Sequence, residues 1–170
     1  MKHLLIVWHS RTGAARKMAR SLVRGARQAA IALEQADHLQ VKLRRARMVE
    51  PVDLLDADGY LFCAPENLAS LSGEMKEFFD RCYYGALDRI EGRPYALAIS
   101  AGTDGAGAAR QAERICTGWR LRAAAPALIE RNGAQTPEAI LAPKTVPADA
   151  LQRCEELGGL LAATLLAAEA

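Results

Sequence analysis

Two kinds of apolar run alternate along this chain, and the alternation predicts its architecture. Residues 3–8 are apolar from Leu4 through Trp8, the pattern of a strand buried on both faces. After a polar loop at 9–13, Ala15, Met18, Ala19, Leu22, Val23 and Ala26 recur at helical spacing, with Arg16, Arg20, Arg24 and Arg27 on the opposite side. Residues 39–43 alternate apolar and polar, as an edge strand does. A short helix is expected over 52–57, and a second buried strand over 59–64, ended by Pro65. A helix over 72–84 places Met75, Phe78, Phe79 and Cys82 on one face, where they read as core. A third buried strand covers 95–100. The glycines at 102, 105 and 107 then mark a loop entering a helix over 108–119. A last strand at 124–129 and a closing helix at 151–166, preceded by Pro143 and Pro147, complete the chain.

Strands and helices in this register make an α/β parallel sheet covered on both faces. Right-handed crossovers leave a doubly wound five-stranded sheet in the order 2-1-3-4-5. The 170 residues contain no linker, repeat or low-complexity tract, so a single domain over 1–170 is expected.

In an open sheet of this kind, ligands bind beyond the carboxyl ends of the strands, at the topological switch point. The loops at 9–15, 65–73 and 100–107 therefore carry the candidate chemistry. The first, Ser10-Arg11-Thr12-Gly13-Ala14-Ala15, runs from a buried strand straight into a helix. Free amides and the helix dipole favour an anion there, Ser10 and Thr12 add hydroxyls, and Gly13 permits close approach. Arg16 and Lys17 follow in the first helical turn, where each cation opposes the dipole by ~0.3–1 kcal/mol. A bound dianionic phosphate reverses that sign; the alternative is that both side chains point to water.

Composition removes several function classes. Net charge is +2 with both signs dispersed, and no basic block interleaved with aromatics suggests nucleic acid. Arg44, Arg45 and Arg47 form the densest basic cluster and read as a solvated strand end. No run reaches the ~18 apolar residues that span a bilayer. The apolar start is too short for a secretory signal and no cleavage-type site follows it, so a cytoplasmic protein is expected. The four cysteines are far apart and offer neither a metal nor a redox motif. Cys116 and Arg122 have the spacing of a phosphatase loop, but Cys116 sits late in a helical pattern instead of opening one. The P-loop signature is absent, and Gly102, Gly105 and Gly107 do not make the dinucleotide fingerprint. The acidic residues that a receiver domain needs after its first strand are replaced by His9, Ser10 and Arg11.

Three stretches resemble known families. Ser10-x-Thr12-Gly13 after the first strand resembles the FMN phosphate loop of flavodoxins, with Ala15 standing where that loop carries a hydroxyl. Pro65-Glu66-Asn67 resembles the corresponding loop of NAD(P)H-dependent FMN reductases. Leu71-Ser72-Gly73-Glu74-Met75-Lys76 with Phe78, Phe79, Asp80 and Arg81 resembles the equivalent stretch of flavodoxin-like quinone reductases. The resemblance implies a flavodoxin-like fold with bound FMN, its phosphate on residues 10–15. By the same similarity, Pro65, Glu66, Asn67, Leu68 and Ser72 would meet the polar edge of the isoalloxazine. Ser100, Ala101 and Gly102, with Gly105 beyond them, would lie along its pyrimidine side. Asn67 also reads as a turn former, and Ser72 as a helix N-cap. His9 reads as an orienting or solvent-facing residue. Tyr83, Tyr84 and Trp119 either line the substrate face, of their own or of a neighbouring subunit, or pack against the closing helix.

The resemblance implies an oxidoreductase that passes electrons from NAD(P)H through FMN to a quinone, free flavin or similar acceptor, as a homodimer or homotetramer. The alternative is an electron-carrier flavodoxin acting through protein partners. Carriers are typically acidic, which steers basic partners. This chain has an isoelectric point near 8.4, and its three loops hold no aromatic to cover the flavin faces. Both favour the reductase. No general acid or base is singled out, as expected where the flavin carries the chemistry.

Overall fold

A computed structural model describes residues 1–168 of the chain. Strand β1 (Lys2–Trp8) sits inside the sheet, and its side chains alternate between two cores. Leu4 and Ile6 face one side, with Leu61, Cys63, Ala96 and Ala98 of the neighbouring strands; helices α1 (Ala14–Ala32) and α6 (Ala148–Ala167) cover that face. Leu5 and Val7 face the other, with Tyr60, Phe62, Leu97 and Ile99. That second core is closed by α3 (Gly73–Ala86) and α4 (Ala106–Gly118). Burial on both faces explains why the central strands read as continuous apolar runs. Met75, Phe78, Phe79 and Cys82 lie in this core as expected. Trp119 joins them, edge-on to Phe78 and Phe79 at 6.0 and 5.2 Å between ring centres. Each fully buried side chain of this size contributes about 1.5–3 kcal/mol.

The parallel core has β2 (Leu39–Arg45) at one edge, then β1, β3 (Gly59–Asn67) and β5 (Pro94–Ala101), the doubly wound order expected. The sheet has seven strands instead of five, for two local reasons. The last strand is split into β6 (Arg122–Ala123) and β7 (Leu128–Arg131), both paired with β5. Pro126 lies between them and has no N–H for a ladder. The other addition is β4 (Ser70–Leu71), which folds back antiparallel on the end of β3. Pro65 does not end β3, as the sequence had suggested, but pairs with Ser100. Register with β1 stops at Trp8 opposite Cys63, so beyond that point β3 needs no ladder donor toward β1. The short helix is α2 (Pro51–Leu55). A further helix, α5 (Pro137–Leu141), starts at Thr136, whose hydroxyl accepts from Ala139 N–H, with proline in the first turn.

Among the described residues, no helix is long and apolar enough to cross a membrane. The four cysteines are buried free thiols; Cys116 lies inside α4, where burial pushes its thiol up.

Candidate functional site

The chain leaves β1 at His9 and enters α1 through Gly13, whose φ of 101° is one that a side chain rarely adopts. Gly13 N–H donates to Ser10 Oγ at 3.1 Å, closing the loop on itself. No side chain caps α1. The first intrahelical bond is Lys17 N–H to the Gly13 carbonyl, so the amides of Ala14, Ala15 and Arg16 have no partner among the described residues. A helix N-terminus left open in this way attracts an anion. The methyl of Ala15 is buried in the core and its carbonyl accepts from Cys63 Sγ at 3.2 Å. Position 15 therefore offers its amide to a ligand, while its side chain anchors the turn to β3.

This N-terminus opens into a cleft of about 410 Å³, and Ser10, Arg11, Thr12 and Gly13 line it. Arg16 also lines the cleft. Lys17 turns away and donates to the Lys144 carbonyl at 2.5 Å. The far wall is a surprise from the sequence. Leu141 and Pro143, at the end of α5, close one side. Their segment is held by Lys144 N–H to the Thr12 carbonyl at 2.8 Å, and by Lys144 Nζ donating to the carbonyls of Ala139, Ile140 and Ala142. Thr136-Pro137 is the helix-start signature that would have revealed it.

His9 joins the first loop to the second. Its Nδ1 lies 2.7 Å from Ser72 Oγ and its Nε2 3.6 Å from the Glu74 carboxylate. Ser72 is fully buried at the N-cap position of α3, yet its hydroxyl serves His9 and caps nothing. Burial holds the His9 imidazole below its ordinary value; Glu74 pulls it upward, and Arg11 adds to the lowering.

The second loop is a tight hairpin. Asn67 pairs with Ser70 across Leu68 and Ala69, which have φ of 51° and 59°. Positive φ at both central residues is the pattern of a type I′ turn, usually filled by Asn-Gly. Leucine and alanine there store about 1–2 kcal/mol each. The turn projects Leu68 fully into solvent. Behind it, Ser70 Oγ and Leu71 N–H both donate to Gln111 Oε1 at 2.8 Å. Gly107 lies against the Ala69 carbonyl so closely that a Cβ would sit 2.2 Å from the oxygen. Glu66 turns inward: its carboxylate accepts from Gly105 N–H at 2.9 Å and Ala108 N–H at 3.1 Å, capping α4. The Asn67 side chain has no partner among the described residues. Ser100 and Ala101 end β5 as buried residues, and the Gly102 carbonyl accepts from Gly133 N–H at 2.7 Å.

All three loops thus lie at one edge of the sheet. Only the first borders the cleft; Pro65 to Leu68 and Ser100 to Gly105 lie outside its lining, and Ser72 reaches it through His9. Tyr83 and Tyr84 pack on each other at the exposed end of α3, their ring centres 5.0 Å apart. Among the described residues, no group of three His, Cys, Asp or Glu is placed to hold a metal.

A doubly wound parallel sheet of this order, with an anion-ready helix start at its switch point, is a flavodoxin-like fold. The solved structures agree. A flavodoxin from the domain Archaea superposes with a TM-score of 0.74 at 16% identity, covering 96% of this chain and 98% of that one. An oxidoreductase from Corynebacterium diphtheriae gives 0.72 at 20% identity, covering 98% and 97%. A flavodoxin from Aquifex aeolicus (strain VF5) is 30% identical over 107 residues, 63% of this chain and 54% of that protein. The match spans about half the length of that curated relative. The family model described as NADPH-dependent FMN reductase matches residues 10–128, and the chain belongs to that family. FMN is the cofactor that the family and these relatives indicate. The open amides of Ala14, Ala15 and Arg16 beside two arginines fit its phosphate.

Proposed function

We propose that this flavodoxin-like oxidoreductase takes electrons from NAD(P)H and passes them, through FMN, to a quinone, a free flavin or a similar acceptor. The observation that carries the reading is the uncapped start of α1, opening into a cleft lined with arginine. The chemistry that FMN supplies when bound is electron transfer between successive substrates. The chain's own groups bind and orient. The amides of Ala14, Ala15 and Arg16, with the Ser10 and Thr12 hydroxyls, would hold the phosphate monoester. Asn67, with its amide unpartnered at the hairpin tip, and Leu68 would meet the ring system, with Ser100 to Gly102 on the other side. Glu66 and Ser72 act behind them: Glu66 fixes the start of α4 to the hairpin, and Ser72 fixes His9. No aromatic stands in the 65–73 or 100–107 loop to cover the flavin, which favours a site open to small substrates over one closed for carriage.

The test is anaerobic mixing of the FMN-loaded protein with NADH and with NADPH, following the oxidised flavin band. Bleaching by either nicotinamide, reversed on adding benzoquinone, supports the reductase. Bleaching by chemical reductant alone, with no response to either nicotinamide, shows an electron carrier instead.

A further inference from the structure

The cleft carries more positive charge than one flavin phosphate needs. Arg11, Arg16, Arg45 and Arg47 all line it, and among the described residues none of the four makes an ion pair. The one carboxylate in the lining, Glu74, faces His9. Arg11 and Arg16 flank the start of α1, where the flavin phosphate would sit. Arg45 ends β2 and Arg47 lies in the turn that follows it; both are brought in by the parallel register of β2 with β1, which sets Arg45 opposite Trp8.

That second pair is exposed at the rim of the cleft, on backbone that is held in place. The Arg45 guanidinium stacks 5.2 Å above the Trp8 ring, which restrains its plane. Arg47 belongs to the 3-10 turn Ala46–Met48. Arg81 grips that turn from α3, donating from Nη2 to the Ala46 carbonyl at 3.0 Å and from Nη1 to the Val49 carbonyl. Arg44, the residue before Arg45, turns toward Asp53 instead, at 3.9 Å. Two guanidinium groups without a counter-ion, in the same cleft as the uncapped start of α1, suit a second phosphate, because their planar forks match phosphate oxygens.

We propose that Arg45 and Arg47 form a second phosphate subsite that takes a phosphomonoester on the adenosine half of the nicotinamide donor, its 2′-phosphate, while FMN occupies the loop at 10–15. The proposal rests on the reductase reading for the identity of the donor. It makes Arg45 and Arg47 the residues that select the phosphorylated nicotinamide over the unphosphorylated one.

The experiment is calorimetric titration of the FMN-loaded protein with 2′,5′-ADP and with 5′-AMP, in wild type and in the double variant Arg45→Gln/Arg47→Gln. Wild type is expected to bind 2′,5′-ADP at least about tenfold tighter, the effect of one or more charge-assisted hydrogen bonds. In the double variant that advantage disappears while FMN affinity is kept. Equal binding of the two nucleotides by wild type overturns the proposal. So does displacement of FMN by 2′,5′-ADP, or an advantage that survives in the double variant. Flavin bleaching separates this failure from that of the reductase reading. Equal bleaching rates with NADH and NADPH in wild type sink the subsite alone. Absence of bleaching with either sinks the reductase, and the 2′,5′-ADP titration still decides the subsite.

Discussion

Glu66 gives the sharpest separation between a residue that touches the flavin and one that builds the site. Its carboxylate accepts two backbone N–H groups, from Gly105 at 2.9 Å and Ala108 at 3.1 Å. Hydrogen bonds to a charged group contribute about 1.5–3 kcal/mol each, and a carboxylate at a helix start adds ~0.3–1 kcal/mol. The two bonds share one part-buried acceptor, and the freed amides regain some water, so the sum is an upper bound. Glu66→Ala is expected to destabilise the flavin-free protein by about 2–4 kcal/mol. Glu66→Gln keeps one acceptor oxygen and should lose about half of that. The assay is urea unfolding of the flavin-free variants, followed by tryptophan fluorescence, since Trp119 is buried against Phe78 and Phe79. Midpoints should fall with little change in slope. A Glu66→Ala midpoint equal to wild type, together with weakened FMN binding, would refute the capping role and return Glu66 to direct contact with the flavin.

His9 should titrate below 6.5 in the flavin-free protein, because burial opposes its charge. Glu74→Gln should lower it further and Arg11→Gln should raise it, read from imidazole NMR shifts; the opposite order would refute the assignment of causes. Since the folded value lies below the unfolded one, the stabilisation from neutral His9 is present above about 6.5 and is lost as pH falls through the folded value. Replacing Leu68-Ala69 by Asn-Gly relieves two positive-φ positions at about 1–2 kcal/mol each and should stabilise the protein by up to about 2–4 kcal/mol, measured as a rise in the urea midpoint. An unchanged or lower midpoint would mean that the turn stores no such strain.

The layered core was legible because its strands are buried on both faces: Leu4 to Val7 and Tyr60 to Ala64 can hardly be read otherwise. The first loop was legible because a short polar stretch with Gly13 leads directly from such a strand into an amphipathic helix. What escaped the sequence depends on contacts between distant segments. The inward turn of Glu66 is visible only once α4 lies against the hairpin. Ser72 sits where an N-cap belongs, but its hydroxyl is taken by His9, 63 residues away. Arg45 and Arg47 are solvent-exposed at the end of β2, as they read, but only parallel pairing with β1 shows that they also line the cleft beside the first loop. Pro65 looked like a strand end because the missing N–H is harmless only where β1 has already stopped. Pro126 shows the opposite case, splitting a strand that its apolar neighbours had suggested was continuous.

The central claim is that the open start of α1 holds the phosphate of FMN. It is tested most directly by titrating the flavin-free protein with FMN and with riboflavin and following quenching of flavin fluorescence. Three unpartnered amides, with Ser10 and Thr12 in the cleft lining, predict FMN binding at least ~100-fold tighter than riboflavin, with Ser10→Ala and Thr12→Ala each costing about ten- to hundredfold of that preference. Equal affinity for FMN and riboflavin, unchanged in both variants, would contradict the account.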